Sequence, residues 1–332
     1  MSTASNQIIN YINEKQPRYV RKPKPTFRTV LERERYWAKQ KKYWVEGFEF
    51  LTGLQYFYLQ EGWISDSYGK PIVPLWRDGD DLVFESFRDA KKAFWDLFLL
   101  KRREYGLSGL FGGVAPLYFA LLNPGAEIFM TSADKDRIKL LFHKKLMVSY
   151  NNLDDDIRSP MARSKQDGYL FLAEEIKGKK GQFKGLQSAI WCKESILNPA
   201  AFEGLRAQYG FLDELFLHKK ASQVRNSSSA SMMRGSEKVA TMVMGGSCGI
   251  GTNEGINEGK KIYADSKNQE ILTVFLSGTL CIEQYSHNGH SDQAAAYEWI
   301  MRERDKREKA DDLSRYWQFV ANYPLSAEEV LS

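Results

Sequence analysis

Three short stretches of this sequence carry the residue types that nucleotide-phosphate chemistry requires. The first is Leu99–Gly109, LLKRREYGLSG. A phosphate-binding loop needs a strand, a turn whose backbone N–H groups surround phosphate oxygens, and a helix amino end facing the anion. It also needs a lysine for the terminal phosphates and a hydroxyl for magnesium, in the standard pattern GxxxxGK followed by Ser or Thr. Gly106 and Ser108 fit that pattern. Leu107 stands where the lysine belongs, and Lys101 stands at the first glycine. A Lys101 ammonium reaching back from the front of the loop, with Arg102 or Arg103 as a second cation, restores the missing charge. The second stretch is Tyr209–Glu214, YGFLDE. An apolar strand ending in Asp-Glu is the Walker B arrangement, in which Asp213 holds hydrated magnesium and Glu214 orients or deprotonates the attacking water. The third is Met242–Gly249, MVMGGSCG, where Gly245, Gly246 and Ser247 allow close backbone approach at a strand end. Each stretch alone is a common strand exit; their order along the chain is the informative feature.

Chemistry of this kind needs a parallel sheet whose carboxyl edge gathers the three ends. The sequence alternates accordingly. Residues 80–93 have apolar positions spaced by three and four and predict a helix. Trp95–Leu100 is a short apolar run, Ser108–Leu122 suits a buried helix, and Asn123-Pro124-Gly125 breaks it. Glu127–Ser132 predicts a strand and Ala133–Tyr150 a helix; Tyr169–Glu174, Ala189–Cys192, Tyr209–Leu212 and Thr241–Met244 predict further strands. Beyond Ser247 the sequence reads as mixed and loop-rich, up to a charged helix over 294–320. The aromatic segment 46–64 predicts a small packed unit. The expected division is a basic arm and helix over 1–45, the nucleotide-binding domain over 46–320, and the start of a linker over 321–332.

Composition narrows the classes. The chain has 332 residues, 43% hydrophobic and 27% charged, enough for a substantial core. No apolar run approaches the ~20 residues of a membrane span, and MSTASNQIINYINEKQ lacks a signal core. Three scattered cysteines give no zinc or disulfide pattern. His287 and His290 lie close together, without the carboxylates or cysteines of a metal cluster, and read as a polar surface loop. The net charge is +5. It is concentrated in residues 15–42, where Lys and Arg alternate with aromatics, as in a nucleic-acid contact arm or a solvated tail. Lys177–Lys184, KGKKGQFK, reads the same two ways: phosphate contact or surface hairpin. Asp154-Asp155-Asp156 reads as a solvated loop.

Taken together, the sequence resembles the large terminase subunits of tailed phages, in particular those whose ATPase motif reads like K-R-R-x-x-G-x-S with the lysine at the front. The resemblance extends over GLQYFYL (Gly53–Leu59), PLWRDGDD (Pro74–Asp81), ALLNPGAEIFMTSADKDRIKLLF (Ala120–Phe142), FLDE, the Gly-Gly-Ser turn and NYPLSAEEVL (Asn322–Leu331).

The resemblance implies an α/β fold, a P-loop NTPase of the additional-strand type with a central, mainly parallel sheet flanked by helices. It implies an ATPase that moves double-stranded DNA into a procapsid, with ATP and Mg2+ bound. Lys101 would contact the β- and γ-phosphates within a loop of Lys101, Arg102, Arg103, Glu104, Tyr105, Gly106, Leu107 and Ser108. Ser108 and Asp213 would serve the metal, Glu214 would be the catalytic carboxylate, and Arg103 would sense or stabilise the γ-phosphate. Gly245, Gly246 and Ser247 would form the coupling turn, and Arg206 is a candidate trans-acting arginine for a neighbouring subunit. Gln55 sits where an adenine-reading group could lie, or packs among aromatics. Expected partners are duplex DNA, a portal protein, a small terminase subunit and further copies in a ring, in host cytoplasm and transiently on the procapsid. Large terminases usually carry a nuclease domain after the ATPase; no nuclease activity is expected of this chain. The alternatives are another P-loop translocase or helicase, or a DNA-binding scaffold in which Leu107 marks a lost ATP site.

Overall fold

A computed structural model of the chain describes residues 16–331 apart from 43, 46–48, 166–167, 248–250 and 310–312. Its centre is an eight-stranded sheet. The strands are β3 (Asp96–Lys101), β4 (Glu127–Thr131), β5 (Met161–Lys165), β6 (Tyr169–Glu175), β7 (Phe183–Cys192), β8 (Ala207–Leu212), β11 (Thr241–Gly246) and β12 (Ile271–Leu276), in the spatial order β12-β3-β11-β8-β4-β7-β6-β5. From β12 to β7 every pairing is parallel; β5 and β6 add an antiparallel extension. Three two-residue hairpin pairs lie outside the sheet: β1 (Ile64–Ser65) with β2 (Pro71–Ile72), β9 (Met233–Arg234) with β10 (Glu237–Lys238), and β13 (Ser286–His287) with β14 (His290–Ser291).

The central strands are apolar on both faces because helices cover both. In β3, Leu97, Phe98, Leu99 and Leu100 are all fully buried. Leu97 and Leu99 join one core cluster, while Phe98 and Leu100 join the other. Helix α3 (Asp78–Ala93) buries Val83, Phe84, Phe87 and Ala90, one stripe of a 3.6-residue period, in the same cluster as Leu97 and Leu99. It begins with three acidic residues and ends with Lys91 and Lys92, as the helix dipole favours. α1 (Val30–Lys39) is closed by a capping box between Thr29 and Glu32. α2 (Gly53–Gln60) is buried on every side, so the aromatic segment is core.

Two long helices are interrupted by π segments. α4 runs Leu107–Gly109, Leu110–Val114 (π) and Ala115–Leu122; α5 runs Lys135–Leu140, Leu141–Leu146 (π) and Met147–Asn151. They cross at Gly112, where an added Cβ would lie 2.3 Å from a Leu141 methyl. Glycine there lets α5 approach the helix that follows β3.

The region read as loop-rich after Ser247, beyond α6 (Ala221–Ser229), contains α7 (Asn253–Ala264) and the edge strand β12, which pairs with β3 from Ile271↔Asp96 to Leu276↔Lys101. The charged helix expected over 294–320 is two helices, α8 (Gln293–Glu308) and α9 (Leu313–Asn322). The tail does not leave the domain as a linker. α10 (Ala327–Leu331) seats Val330 in the core, and Glu329 pairs with Arg304 at 2.6 Å.

The basic arm is likewise fastened to the domain at several points of its described part. Arg21 donates from Nε to the Leu59 carbonyl at 2.9 Å, Tyr19 is buried, and Lys24 pairs with Asp156 at 2.5 Å and Glu61 at 3.4 Å. This answers the reading of 154–156 as a purely solvated loop. Residues 1–15 of the arm lie outside the described residues.

At the amino edge of the sheet, Asp96 is fully buried and accepts from Arg225 Nε (2.8 Å), Lys238 Nζ (2.6 Å) and the Met242 amide (3.0 Å). Removing one member of such a network strands the buried charges that remain. Asp96→Ala is expected to lower unfolding free energy by about 3–5 kcal/mol, read from the urea midpoint; a loss under 1 kcal/mol contradicts this account.

Candidate functional site: the carboxyl edge of the sheet

Because β3, β8 and β11 run parallel, Lys101, Leu212 and Gly246 finish at one edge, and the three sequence stretches meet there. β11 lies between β3 and β8, so the loop strand and the acidic strand are separated by one strand. The turn after β3 closes at Gly106, whose φ of +96° belongs to the left-handed region that glycine adopts without cost. α4 begins at the next residue, so Leu107 and Ser108 amides stand at its amino end.

Ser108 Oγ donates to Asp213 Oδ1 at 2.9 Å. The Asp213 amide donates to the Thr131 carbonyl at 2.9 Å, tying the acidic strand end to β4. Burial, reinforced by the neighbouring Glu214 charge, pushes the Asp213 carboxyl up to about 6; the Lys101 ammonium and the Ser108 hydroxyl oppose the shift. Lys101 is pulled below the ordinary lysine range by burial and back towards it by Asp213 and Glu214. One ammonium is therefore coupled to both carboxylates. Glu214 has φ +51°, a left-handed conformation uncommon for a residue with a side chain. The chain turns there into a single 3-10 turn, Leu215–Leu217, with Leu215 and Phe216 buried. Glu214 Oε2 accepts from Arg137 Nε at 2.6 Å, and Arg137 also pairs with Asp134, the residue that caps α5.

The other expected loop residues lie as follows. Arg102 does not face this edge as a free cation: it donates to the carbonyls of Leu280 (3.0 Å), Arg103 (2.8 Å) and Cys281 (2.6 Å), binding the loop to the segment after β12. Arg103 is exposed, with its amide bonded to the Asn322 carbonyl at 3.0 Å. Glu104 is exposed in a left-handed turn. Tyr105 is fully buried, beneath the Arg77 guanidinium at 5.2 Å. Leu107 is buried, and a Cβ added to Gly245 would meet its methyl at 3.7 Å. Its side chain is therefore packing, which is why the standard lysine position supplies no cation. Gly246 lies so close to the acidic turn that a Cβ would stand 2.8 Å from the Phe216 ring, and Ser247 is buried at the end of the same strand. Arg206 precedes the first residue of β8, at the opposite edge of the sheet from Asp213. Gln55 is buried and bonded to Asp81, so it packs and does not face this edge. His290 meets the Trp76 ring edge-on, and no group of three or more His, Cys, Asp or Glu placed to hold a metal exists among the described residues.

Sequence reasoning missed four groups. Arg137 anchors Glu214; its signal was Asp134 and Arg137 at helix-start spacing. Arg77 grips Asp80 at 2.7 Å and donates to the Tyr105 carbonyl at 3.1 Å, bracing the loop from the start of α3. Lys145, in α5, feels the Asp213 charge, which offsets part of the lowering that burial imposes on it. The fourth is a buried chain: Thr131 Oγ1 and Ser195 Oγ lie 2.6 Å apart, and Ser195 Oγ lies 2.9 Å from His218 Nε2. His218 Nδ1 accepts from the Lys220 amide at 3.3 Å, so the ring is neutral with its proton on Nε2. Burial holds its pKa down at about 4. An unfolded histidine titrates near 6.5, so the folded state gains stability above that pH and loses it as pH falls towards 4. The loss should reach about 3 kcal/mol between pH 7 and 4. His218→Gln should flatten that part of the stability–pH curve; an unchanged slope contradicts the assignment.

The strand order, the loop after β3 and the acidic pair after β8 define a P-loop NTPase fold of the additional-strand type. No sequence-family profile matches the chain, and no curated protein matches it either. Among solved structures, it is similar to the large terminase ATPase domain of Thermus phage P74-26: TM-score 0.44, 14% identity, covering 70% of this chain and 91% of that one. It is also similar to the large terminase of bacteriophage HK97: TM-score 0.49, 12% identity, covering 82% of this chain and 54% of that one. A third, the large terminase of a thermophilic bacteriophage solved with ATP-γ-S, aligns at TM-score 0.36 and 12% identity, covering 67% of this chain and 46% of that one. The match thus spans about half the length of those two terminases.

Proposed function

We propose that this chain is the ATP-hydrolysing motor domain of a viral DNA-packaging terminase. The observation that carries the ATPase reading is the convergence of Ser108, Asp213, Glu214 and Lys101 at one sheet edge, with Ser108 Oγ 2.9 Å from Asp213 Oδ1. A hydroxyl and a desolvated carboxylate in contact suit Mg2+, which keeps several waters and takes its remaining oxygens from substrate phosphates. A bound Mg2+ would neutralise charge on the β- and γ-phosphates. Ser108 and Asp213 would hold it. The amides at the start of α4 and the Lys101 ammonium would cradle the phosphates, and Glu214 would orient a water and take its proton. Arg103, exposed beside the loop, is the candidate second cation. Gly245, Gly246 and Ser247, packed against both the loop and the acidic turn, are placed to pass a change at the nucleotide to the rest of the sheet. Arg206 faces away from this chain's own site and would have to act on a neighbouring subunit.

The packaging role rests on the sequence resemblance. It brings duplex DNA, a portal protein, a small subunit and a ring of copies as partners, in host cytoplasm and on the procapsid. The described helices include none long and apolar enough to cross a membrane.

The test is calorimetric binding of ATP with and without Mg2+, followed by turnover with and without duplex DNA. Magnesium-dependent binding and DNA-stimulated turnover are expected. A folded protein that binds no Mg-ATP even with DNA present sinks the reading and leaves the inactive scaffold.

A further inference from the structure

Residues 16–42 carry ten Lys or Arg side chains against two carboxylates, a surplus of eight, while the whole chain's surplus is five. The rest of the chain is therefore net acidic, and the fold divides the arm's cations into two sets. Arg18, Arg21 and Lys24 are tied to the body: Arg18, though exposed, pairs with Asp81 at 2.9 Å, Arg21 binds backbone carbonyls, and Lys24 pairs with Glu61 and Asp156. Arg28, Arg33 and Arg35 turn outward and are exposed. Arg28, just before the Thr29 cap, and Arg35, within α1, line one shallow groove of about 490 Å³ together with Phe27, Glu32, Tyr36 and Lys39. The groove's one carboxylate is engaged: Glu32 Oε2 accepts the amides of Arg28 (2.7 Å) and Thr29 (3.3 Å) as part of the α1 cap.

We propose that the exposed surface of α1 and the turn before it dock the sugar–phosphate backbone of duplex DNA, with Arg28 and Arg35 in the groove and Arg33 on the helix flank beside it. The duplex itself is taken from the packaging-motor reading; the surface is argued from charge and packing. Exposed guanidinium groups on an aromatic-floored groove suit phosphate oxygens. The floor offers no free ring for base stacking, which single strands use. Phe27 packs against Tyr36 with ring centroids 5.1 Å apart, Lys39 covers the Tyr36 ring at 4.7 Å, and the Tyr36 hydroxyl is committed to Glu61 at 2.6 Å. The contacts are therefore to the backbone and independent of base sequence. Because the paired cations fasten the arm to the body, the outward set is presented on a tethered segment.

The experiment measures the affinity of the full chain for a random duplex over a range of salt concentrations. The slope of log K against log salt reports about 0.9 per phosphate contact. The triple variant Arg28→Gln, Arg33→Gln, Arg35→Gln should lower that slope by roughly two to three, with an unchanged melting temperature. A second triple, Arg234→Gln, Lys267→Gln, Arg302→Gln, removes the same net charge from exposed positions elsewhere and should leave the slope at its wild-type value. Equal slopes for wild type and the arm variant overturn this surface alone; so does an equal fall in both triples, which would be a net-charge effect. A wild type that binds no duplex at any salt overturns the motor reading as well.

Discussion

Replacing Glu214 with glutamine should cut ATP turnover roughly 10²–10⁴-fold while Mg-ATP binding stays near the wild-type value. The amide keeps the size of the side chain and can still orient a water, but it cannot accept that water's proton. Glu214 is held on a left-handed turn at a strand end and anchored by Arg137 at 2.6 Å, so its placement does not depend on its being the general base. A loss confined to turnover marks the group as chemical. If Glu214→Gln turns over ATP at the wild-type rate, the proton acceptor is some other group and the mechanism proposed here fails.

Lys101→Ala is the complementary experiment, with a different signature. Here binding and turnover should fall together, turnover by about 10²–10³-fold, as when one charge-stabilising donor is removed from a preorganised site. The ammonium feels the charge of both carboxylates, and burial has already stripped part of its hydration. Its removal leaves the Asp213 and Glu214 charges repelling each other without a compensating cation, so the carboxyl near 6 should rise further. Arg102 does not take over, because its guanidinium is committed to three carbonyls. Intact Mg-ATP affinity in a folded Lys101→Ala protein removes the front-placed lysine from the phosphate site.

What could be read in the sequence was local. A strand, a Gly-x-Ser turn and a helix start are contiguous, as are an apolar strand and its Asp-Glu exit, and their joint order is enough for the sheet's centre. The helix of 78–93 was legible because one face is apolar at regular spacing. β12 was overlooked because only its ends, Ile271 and Leu276, are buried and the residues between are half-exposed, as on a sheet edge. The arm misled because charge composition does not show where the partners are: Arg18 finds Asp81 sixty-three residues away, and Lys24 finds Asp156 at a separation of 132. The site's supports were illegible for the same reason. Arg137 and Glu214 are 77 positions apart, and Arg77 and Tyr105 are 28 apart. Only the folded chain shows that an arginine from one helix start braces Glu214 while another braces the turn after β3.

The packing of Leu107 against Gly245 has a consequence for how this loop can change over time. Writing the ordinary lysine back at that position would not repair the site. The new ammonium would have to occupy an oily slot beside β11, or pull the helix start out of place to escape it. Shifting the positive charge from the front of the loop to its end would require residues 101, 107 and the glycine opposite to change together. Each single step would yield a protein with either two competing cations or none, so this arrangement would be hard to leave by one substitution at a time.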